Sequence, residues 1–93
     1  MTLKETIHWL DSTFPIEVEI EVKVLPNHMG LVRCVRGKYY IEIDKLLSTW
    51  YQIETLIHEW AHVLIQNGEH NDAWGIAYAK IYTAFLDWVH NDF

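Results

Sequence analysis

The chain has 93 residues, which is enough for one domain with a single modest core and leaves no room for a second. Its formal net charge is −6, and its 7 Lys and Arg residues form no run, so the composition argues against a nucleic-acid-binding surface. Cys34 is its one cysteine, which excludes an internal disulfide and a zinc site built from several cysteines.

Targeting signals are the next feature that the sequence bears on. The first residues carry no basic segment followed by an apolar stretch, and no apolar run approaches membrane-spanning length. We therefore expect a cytoplasmic protein that contacts neither a membrane nor a nucleic acid, with residues 1–93 forming one domain.

The first two predicted elements are a helix and an amphipathic strand. Thr2 and Glu5 fit a capping box, and the helix that they begin should end before Phe14 and Pro15. Aliphatic residues then occupy positions 16, 18, 20, 22 and 24, with charged residues between them. This period of two predicts a strand with one buried face, and its Glu residues should form the solvated face.

Two further strands should follow, separated by turns. Asn27–Gly30 predicts a turn, and Leu31–Arg36 predicts a strand in which Cys34 is a small buried residue. Gly37-Lys38 should turn the chain into a third strand, Tyr39–Asp44. We expect these strands to form a mainly antiparallel three-stranded sheet that packs on helices.

The remaining sequence predicts two helices. Apolar residues at positions 53, 56, 57, 60, 63 and 64 have helical spacing, with Ser48 or Thr49 as the N-cap. A last helix should run from Asp72 to about His90, and its predicted buried face comprises Trp74, Ala77, Ile81, Phe85 and Trp88. The order helix, three strands, helix, helix predicts an α+β fold.

The most specific feature of the chain is His58-Glu59-Trp60-Ala61-His62, which has the spacing HExxH. Residues four apart on a helix lie about 40° apart around its axis, so both imidazoles can bind one metal ion. Glu59 follows His58 directly, so its side chain points in a different direction around the helix axis. From there its carboxylate cannot easily become a ligand, but it can reach a water bound to that metal. This is the geometry of a zinc hydrolase, with two ligands and a general base from one helical turn.

A catalytic zinc needs a third protein ligand and an open position for water. The metzincin pattern is not present, because Gly68 stands where its third histidine would be. A turn at Asn67-Gly68, with Gly68 as a left-handed helix cap, would instead let His70 fold back to the metal. We predict His70 as the third ligand. The residue pattern also leaves four other side chains open for this role: Glu69, Asp72, Asp87 and His90.

The run Leu56–Leu64, followed by Gly68, His70 and Trp74, resembles the SprT-like and minimal zincin metallopeptidases. These carry HExxH, a short turn containing glycine, and a histidine followed four residues later by Phe or Trp. The resemblance covers roughly residues 43–85. It implies a zincin fold, the three histidines at 58, 62 and 70 as zinc ligands, and Glu59 as the catalytic base.

The resemblance also implies where a substrate would lie. In zincins an extended peptide adds as a strand to the sheet edge beside the metal, where backbone hydrogen bonds hold it. We predict that Tyr39–Asp44 is this edge, because it leads directly to the motif helix, with Tyr39, Ile41 and Ile43 as substrate-binding residues. Tyr78 is a further candidate, as a hydrogen-bond donor to the reacting carbonyl oxygen.

These residues predict a zinc-dependent metallopeptidase that hydrolyses protein or peptide substrates, with Glu59 as general base. The alternative is a zinc-stabilised, non-catalytic protein-binding module, since a small chain gains much from a structural ion. The enzyme is favoured because structural zinc sites are normally closed by four ligands and have no use for a glutamate placed as a base. A metal-dependent nuclease or deaminase is a third possibility, which the acidic charge and the lack of a C-x-x-C pair disfavour.

Overall fold

The described residues of the computed structural model, 1–66 and 68–92, form three helices and three strands, with Asp92 described in its backbone alone. In chain order the elements are α1 (Leu3–Thr13), β1 (Val18–Lys23), β2 (Gly30–Val35), β3 (Lys38–Asp44), α2 (Thr49–Ile65) and α3 (Asp72–Asp92). The predicted α+β class and element order are confirmed. None of the helices in the described residues combines the length and hydropathy that a membrane span requires.

Side-chain caps fix where the helices begin. Thr2 Oγ1 accepts a hydrogen bond from the Glu5 backbone N–H at 3.1 Å, and Glu5 Oε1 accepts one from the Thr2 N–H at 2.8 Å, which completes the predicted capping box of α1. Ser48 Oγ accepts a hydrogen bond at 3.5 Å from the backbone N–H three residues later and begins α2. Asn71 Oδ1 accepts one from the Trp74 N–H at 3.0 Å at the start of α3. These bonds satisfy N–H groups that lack a partner within the helix.

The sheet is mixed, with the strand order β1-β3-β2. β1 pairs parallel with β3, and β2 pairs antiparallel with β3. The prediction of a mainly antiparallel sheet with Tyr39–Asp44 at its edge is therefore wrong, because β3 is the central strand. The physical reason is burial: Ile41 and Ile43 have no exposed surface, and a strand whose core-facing side chains are fully covered needs a neighbour on each side.

The turn between β2 and β3 lies one residue earlier than predicted. Arg36 and Gly37 have φ values of 54° and 79°, and positive φ at both central residues is the signature of a type I′ hairpin turn. Arg36 is thus in the turn, and Lys38 begins β3. The Lys38 Nζ donates to Glu19 Oε1 on β1 at 2.9 Å.

α2 lies at the centre of the core, between the sheet and the other two helices. Trp60 is fully buried, and its Nε1 donates a hydrogen bond to the Phe14 carbonyl oxygen at the end of α1, at 3.0 Å. α3 buries Ala77, Ile81 and Phe85 of its predicted apolar face, and Trp74 and Trp88 are half-buried. Because this packing fixes the rotation of α2, it also fixes the direction of the HExxH side chains.

On the sheet face opposite Ile41 and Ile43, one carboxylate connects all three strands. Glu42 Oε2 on β3 accepts a hydrogen bond from Arg33 Nε on β2 at 2.7 Å and lies 3.4 Å from Lys23 Nζ on β1. Burial alone would raise the pKa of Glu42, but the two cations together hold it below its ordinary value.

Candidate metal centre

α2 holds the HExxH residues at the boundary between the core and the solvent. His62 and Glu59 are each 7% exposed, and the His58 side chain is 36% exposed. Ile57 and Trp60, which flank His58 and Glu59 in the sequence, are fully buried. A rotation of α2 that moved the histidines would therefore expose apolar core surface, which makes their positions rigid.

The loop after α2 brings His70 back to the helix. Gln66 adopts the left-handed conformation, with φ 55° and ψ 40°, and its N–H donates to two carbonyl oxygens of the last helical turn. The left-handed cap of α2 is thus Gln66, so the predicted role of Gly68 as that cap is wrong, and the predicted part of Asn67 in this turn lies outside the described residues. The reason is that α2 ends at Ile65, so the reversal falls on the residue directly after it.

The ring nitrogens of the three histidines converge on one point. His70 Nε2 lies 3.0 Å from His58 Nε2 and 3.2 Å from His62 Nε2. All three ligand atoms lie within 4.8 Å of one another. Three nitrogens that bind zinc at about 2.0–2.1 Å in tetrahedral geometry would be about 3.3 Å apart. The two distances to His70 are close to this value.

Hydrogen bonding alone does not explain this arrangement. An imidazole nitrogen either carries one proton or offers one lone pair, so His70 Nε2 can form a full hydrogen bond with only one of its two neighbours. A cation would accept a lone pair from each ring. Burial and the charges of His62 and His70 lower the pKa of His58, which favours the neutral form that binds metals.

Three histidines are therefore close enough, and of suitable chemistry, to bind a metal ion. Within residues 1–66 and 68–92, this group contains none of the four side chains that the sequence left open as the third ligand: Glu69, Asp72, Asp87 and His90.

Trp74 packs against all three imidazoles. Its ring centroid lies 4.9 Å from that of His58, 5.4 Å from that of His62 and 4.6 Å from that of His70. Its Nε1 also donates a weak hydrogen bond to the His58 carbonyl oxygen at 3.4 Å. One indole at the start of α3 thus contacts the two histidines on α2 and the histidine in the loop.

The Glu59 carboxylate lies beside the histidine group without belonging to it. Its Oε1 is 3.6 Å from His58 Nε2. Burial raises the pKa of Glu59 to about 7, and a carboxyl group with a pKa near neutrality can both accept and donate a proton. β2 approaches this residue closely at Gly30, where an added Cβ would overlap Thr55 Cγ2 and lie 3.5 Å from Glu59 Cγ. Glycine fits here without rearrangement because it has no side chain.

An open cleft crosses the site, with two pockets that share Gly30, His58 and Glu59. The first, which we call the Cys34 pocket, has a volume of about 530 Å³ and extends past Tyr39, Cys34, His62, His70 and Gln66. The second, the Glu54 pocket, has a volume of about 410 Å³ and extends past Glu54, Thr55, Tyr78 and the loop residues Asn27, His28 and Met29.

The substrate-binding residues predicted from the sequence divide into two groups. Tyr39 lines the Cys34 pocket and Tyr78 lines the Glu54 pocket. Ile41 and Ile43 are fully buried in the core, so a substrate-binding role for them is wrong. Their side chains face the core because β3 is the central strand. Cys34, predicted to be buried, is exposed because β2 is an edge strand.

Sequence reasoning missed Glu54 and Gly30. Glu54 lies four residues before His58 and eight before His62, so the helical row 54–58–62 was the signal that could have identified it. The close approach of Gly30 to α2 had no sequence signal, since it depends on which strand lies at the sheet edge.

Comparisons of this chain with known proteins found no match. No family model matches the chain, and no curated protein and no solved structure matches it either. What the chain does must therefore be inferred from its own residues.

Proposed function

We propose that this protein is a zinc-dependent metallopeptidase of the zincin type, with His58, His62 and His70 as zinc ligands and Glu59 as general base. One observation carries the proposal: three imidazole nitrogens converge beside a buried carboxylate, and both face an open cleft. This combination of ligands, base and cleft is what hydrolysis by a metal-activated water requires. The SprT-like spacing of the same residues supports it.

The donor set favours zinc over magnesium, calcium and non-haem iron. Magnesium and calcium prefer oxygen ligands, and non-haem iron sites commonly combine two histidines with a carboxylate. Here all three donors are imidazole nitrogens, and the neighbouring carboxylate of Glu59 lies outside the group. Zinc takes such a set in catalytic sites, with the fourth position left for water or substrate.

Each residue of the site has a distinct part in the proposed reaction. When bound, zinc would lower the pKa of a water molecule and polarise the substrate carbonyl. Glu59 takes a proton from the attacking water and then delivers it to the leaving amine. Trp74 holds the three imidazoles in their relative positions. Tyr78, in the Glu54 pocket, remains a candidate donor to the reacting carbonyl oxygen.

The cleft supports a protein or peptide as the substrate. Within the described residues β2 is an edge strand, and its residues Gly30, Leu31 and Val32 border the Cys34 pocket. An extended peptide can add to the other side of β2 by backbone hydrogen bonds, which would place it over Glu59. The edge that receives the substrate is thus β2, rather than Tyr39–Asp44.

The non-catalytic binding module is the less favoured function. A structural zinc site is normally closed by four protein ligands, and the described part of the chain brings three together. A buried carboxylate beside the metal group also has no purpose in a structural site.

The variant Glu59→Gln tests the proposal, because it keeps the size of the side chain and removes the base. It should bind zinc and fold like the wild type, and peptide hydrolysis should fall by about 10²–10⁴-fold. The assay needs a broad peptide library, with both proteins compared on the same cleaved bond. Glu21→Gln, on the outer face of β1, is a matched control that should keep full activity.

Equal cleavage by the wild type and Glu59→Gln would eliminate Glu59 as the base. If the wild type cuts no peptide and its zinc has four protein ligands, the protein is a binding module.

A further inference from the structure

Glu54 has a negative charge in the cleft that the proposed reaction does not use. It lies one helical turn before His58 on α2, so it projects on the same side of the helix as the two ligands. It is half-buried, and it accepts a hydrogen bond from Tyr82 Oη at 3.4 Å, which is long for a bond to a carboxylate. Among the described residues, no Lys or Arg forms an ion pair with Glu54.

The surroundings of Glu54 suit a cationic group. Tyr78 lines the same pocket, and its ring stacks on that of Tyr82 with a centroid separation of 5.6 Å. Aromatic rings attract ammonium and guanidinium groups, and the amide of Asn27 can accept a hydrogen bond. The titratable residues that line this pocket are Glu54, Glu59, His58, Tyr78 and His28. No Lys or Arg of the described chain lines the pocket.

We propose that the Glu54 pocket is a subsite for a positively charged group of the substrate, with Glu54 as its counter-charge. The group is a Lys or Arg side chain or the free α-amino group of a peptide, which share the same chemistry. This inference rests on the proposed peptidase function and names its substrate class, peptides with a cation close to the cleaved bond. The net charge of −6 attracts such substrates in addition.

The geometry also gives the position of the cation. Residues four apart on a helix have Cβ atoms about 5–6 Å apart, so Glu54 begins that far from His58 along α2. An extended peptide advances about 3.3–3.6 Å per residue. The cation should therefore lie within about two residues of the bond that is cleaved.

The test compares peptides that differ only in this charge. One set carries blocked termini and either Lys or norleucine at each position within three residues of the cleaved bond. A second set has norleucine throughout and either a free or an acetylated amino terminus. Wild type and Glu54→Gln are assayed with both sets, and Glu21→Gln is the control that removes the same charge from the opposite face of the sheet. Gln at position 54 keeps the acceptor for Tyr82, so the fold should be retained.

We expect the wild type and Glu21→Gln to prefer the charged peptide by about tenfold in kcat/KM, the lower end of what a hydrogen bond to a charged group contributes. Glu54→Gln should lose this preference. A preference that follows Lys identifies a side chain as the source of the cation, and one that follows the free terminus identifies the α-amino group. Equal cleavage of charged and neutral peptides by the wild type, or an unchanged preference in Glu54→Gln, would overturn the proposal.

Binding to the zinc-loaded Glu59→Gln protein separates this inference from the peptidase function. Suppose that the wild type cleaves no peptide, and that Glu59→Gln binds the Lys peptide about tenfold more tightly than the norleucine peptide. If adding Glu54→Gln to that protein removes the difference in affinity, the subsite is supported although the proposed reaction is not. Cleavage without any charge preference would refute the subsite alone.

Discussion

Replacing His70 by alanine tests whether a metal ion connects the loop after α2 to that helix. His58 and His62 lie on α2 and His70 lies in the loop, so an ion bound by all three joins the two segments. A ligand that binds only the folded protein stabilises it by about 2.7 kcal/mol at a free concentration of 100 times Kd. In a domain of this size, 1 kcal/mol corresponds to about 4–8 °C in Tm. Zinc should therefore raise the Tm of the wild type by roughly 10–20 °C relative to EDTA.

The variant should lose most of this shift. Loss of a residue that only supports the ligands costs about 10–100-fold in metal affinity, so loss of a ligand should cost at least 100-fold. At the same zinc concentration the stabilisation then falls to about 0.4 kcal/mol, or a few degrees. Thermal unfolding followed by circular dichroism, with zinc or with EDTA, measures the difference. His90→Ala, an exposed position near the end of α3, is the control and should keep the full shift.

Three results would refute this reasoning. A zinc-dependent shift as large in His70→Ala as in the wild type would remove His70 from the site and favour Glu69 or Asp72. Loss of the shift in His90→Ala would place that residue in the site instead. A wild type with the same Tm in zinc and in EDTA would show that zinc does not connect the loop to the helix.

Three further variants test the surroundings of the site and the sheet. Trp74→Ala should weaken zinc binding by about 10–100-fold in competition with a chelator, because the indole contacts all three histidines of the candidate site; unchanged affinity would show that it does not position them. Gly30→Ala should lower the free energy of unfolding in urea by about 1–3 kcal/mol, since its methyl group overlaps Thr55, and equal stability would mean that β2 can move. Burial raises the pKa of Glu42, but Arg33 and the neighbouring lysine hold it below its ordinary value of 4.5. The ionised carboxylate therefore stabilises the fold above pH 4.5, and this contribution is lost as the pH falls through the pKa of Glu42 in the folded protein. Glu42→Gln should therefore be less stable than the wild type by about 1 kcal/mol at pH 7, with partly exposed cations and solvent screening taken into account. The difference should shrink as the pH falls below 4.5, and a difference that stays constant would contradict this.

The helices could be predicted from the sequence because their signals are local. The capping box at Thr2 and Glu5 and the apolar spacing of α2 and α3 each involve residues only a few positions apart. The strand order could not be predicted in this way. Whether β3 lies at the edge or in the centre depends on pairing with β1, which is 20 or so residues away and is joined through β2. The errors at Ile41, Ile43 and Cys34 all follow from that one non-local choice.

The residues of the candidate site were also predictable only where their positions depend on local sequence. His58, Glu59 and His62 lie within one helical turn, so their relative directions follow from helix geometry alone. His70 depends on a reversal of the chain, and the structure achieves it through Gln66 rather than Gly68. The reversal still brings His70 to the helix, because any left-handed residue directly after the helix turns the chain back. The cleft could not be predicted, since its far wall is β2.

The burial of Glu59 favours the proposed catalytic site over a structural one. Burial raises its pKa from 4.5 to about 7, so this side chain lowers the stability of the metal-free fold as the pH rises above 4.5, and the cost is complete above about pH 7. A domain of 93 residues has a small margin of stability, and a hydrophobic residue at position 59 would pack without this cost. A bound dication would favour the ionised carboxylate and offset part of the cost. In the proposed peptidase, the carboxylate that weakens the metal-free domain is thus the one that acts as the base. Local conflicts of this kind between stability and chemistry are found at functional sites.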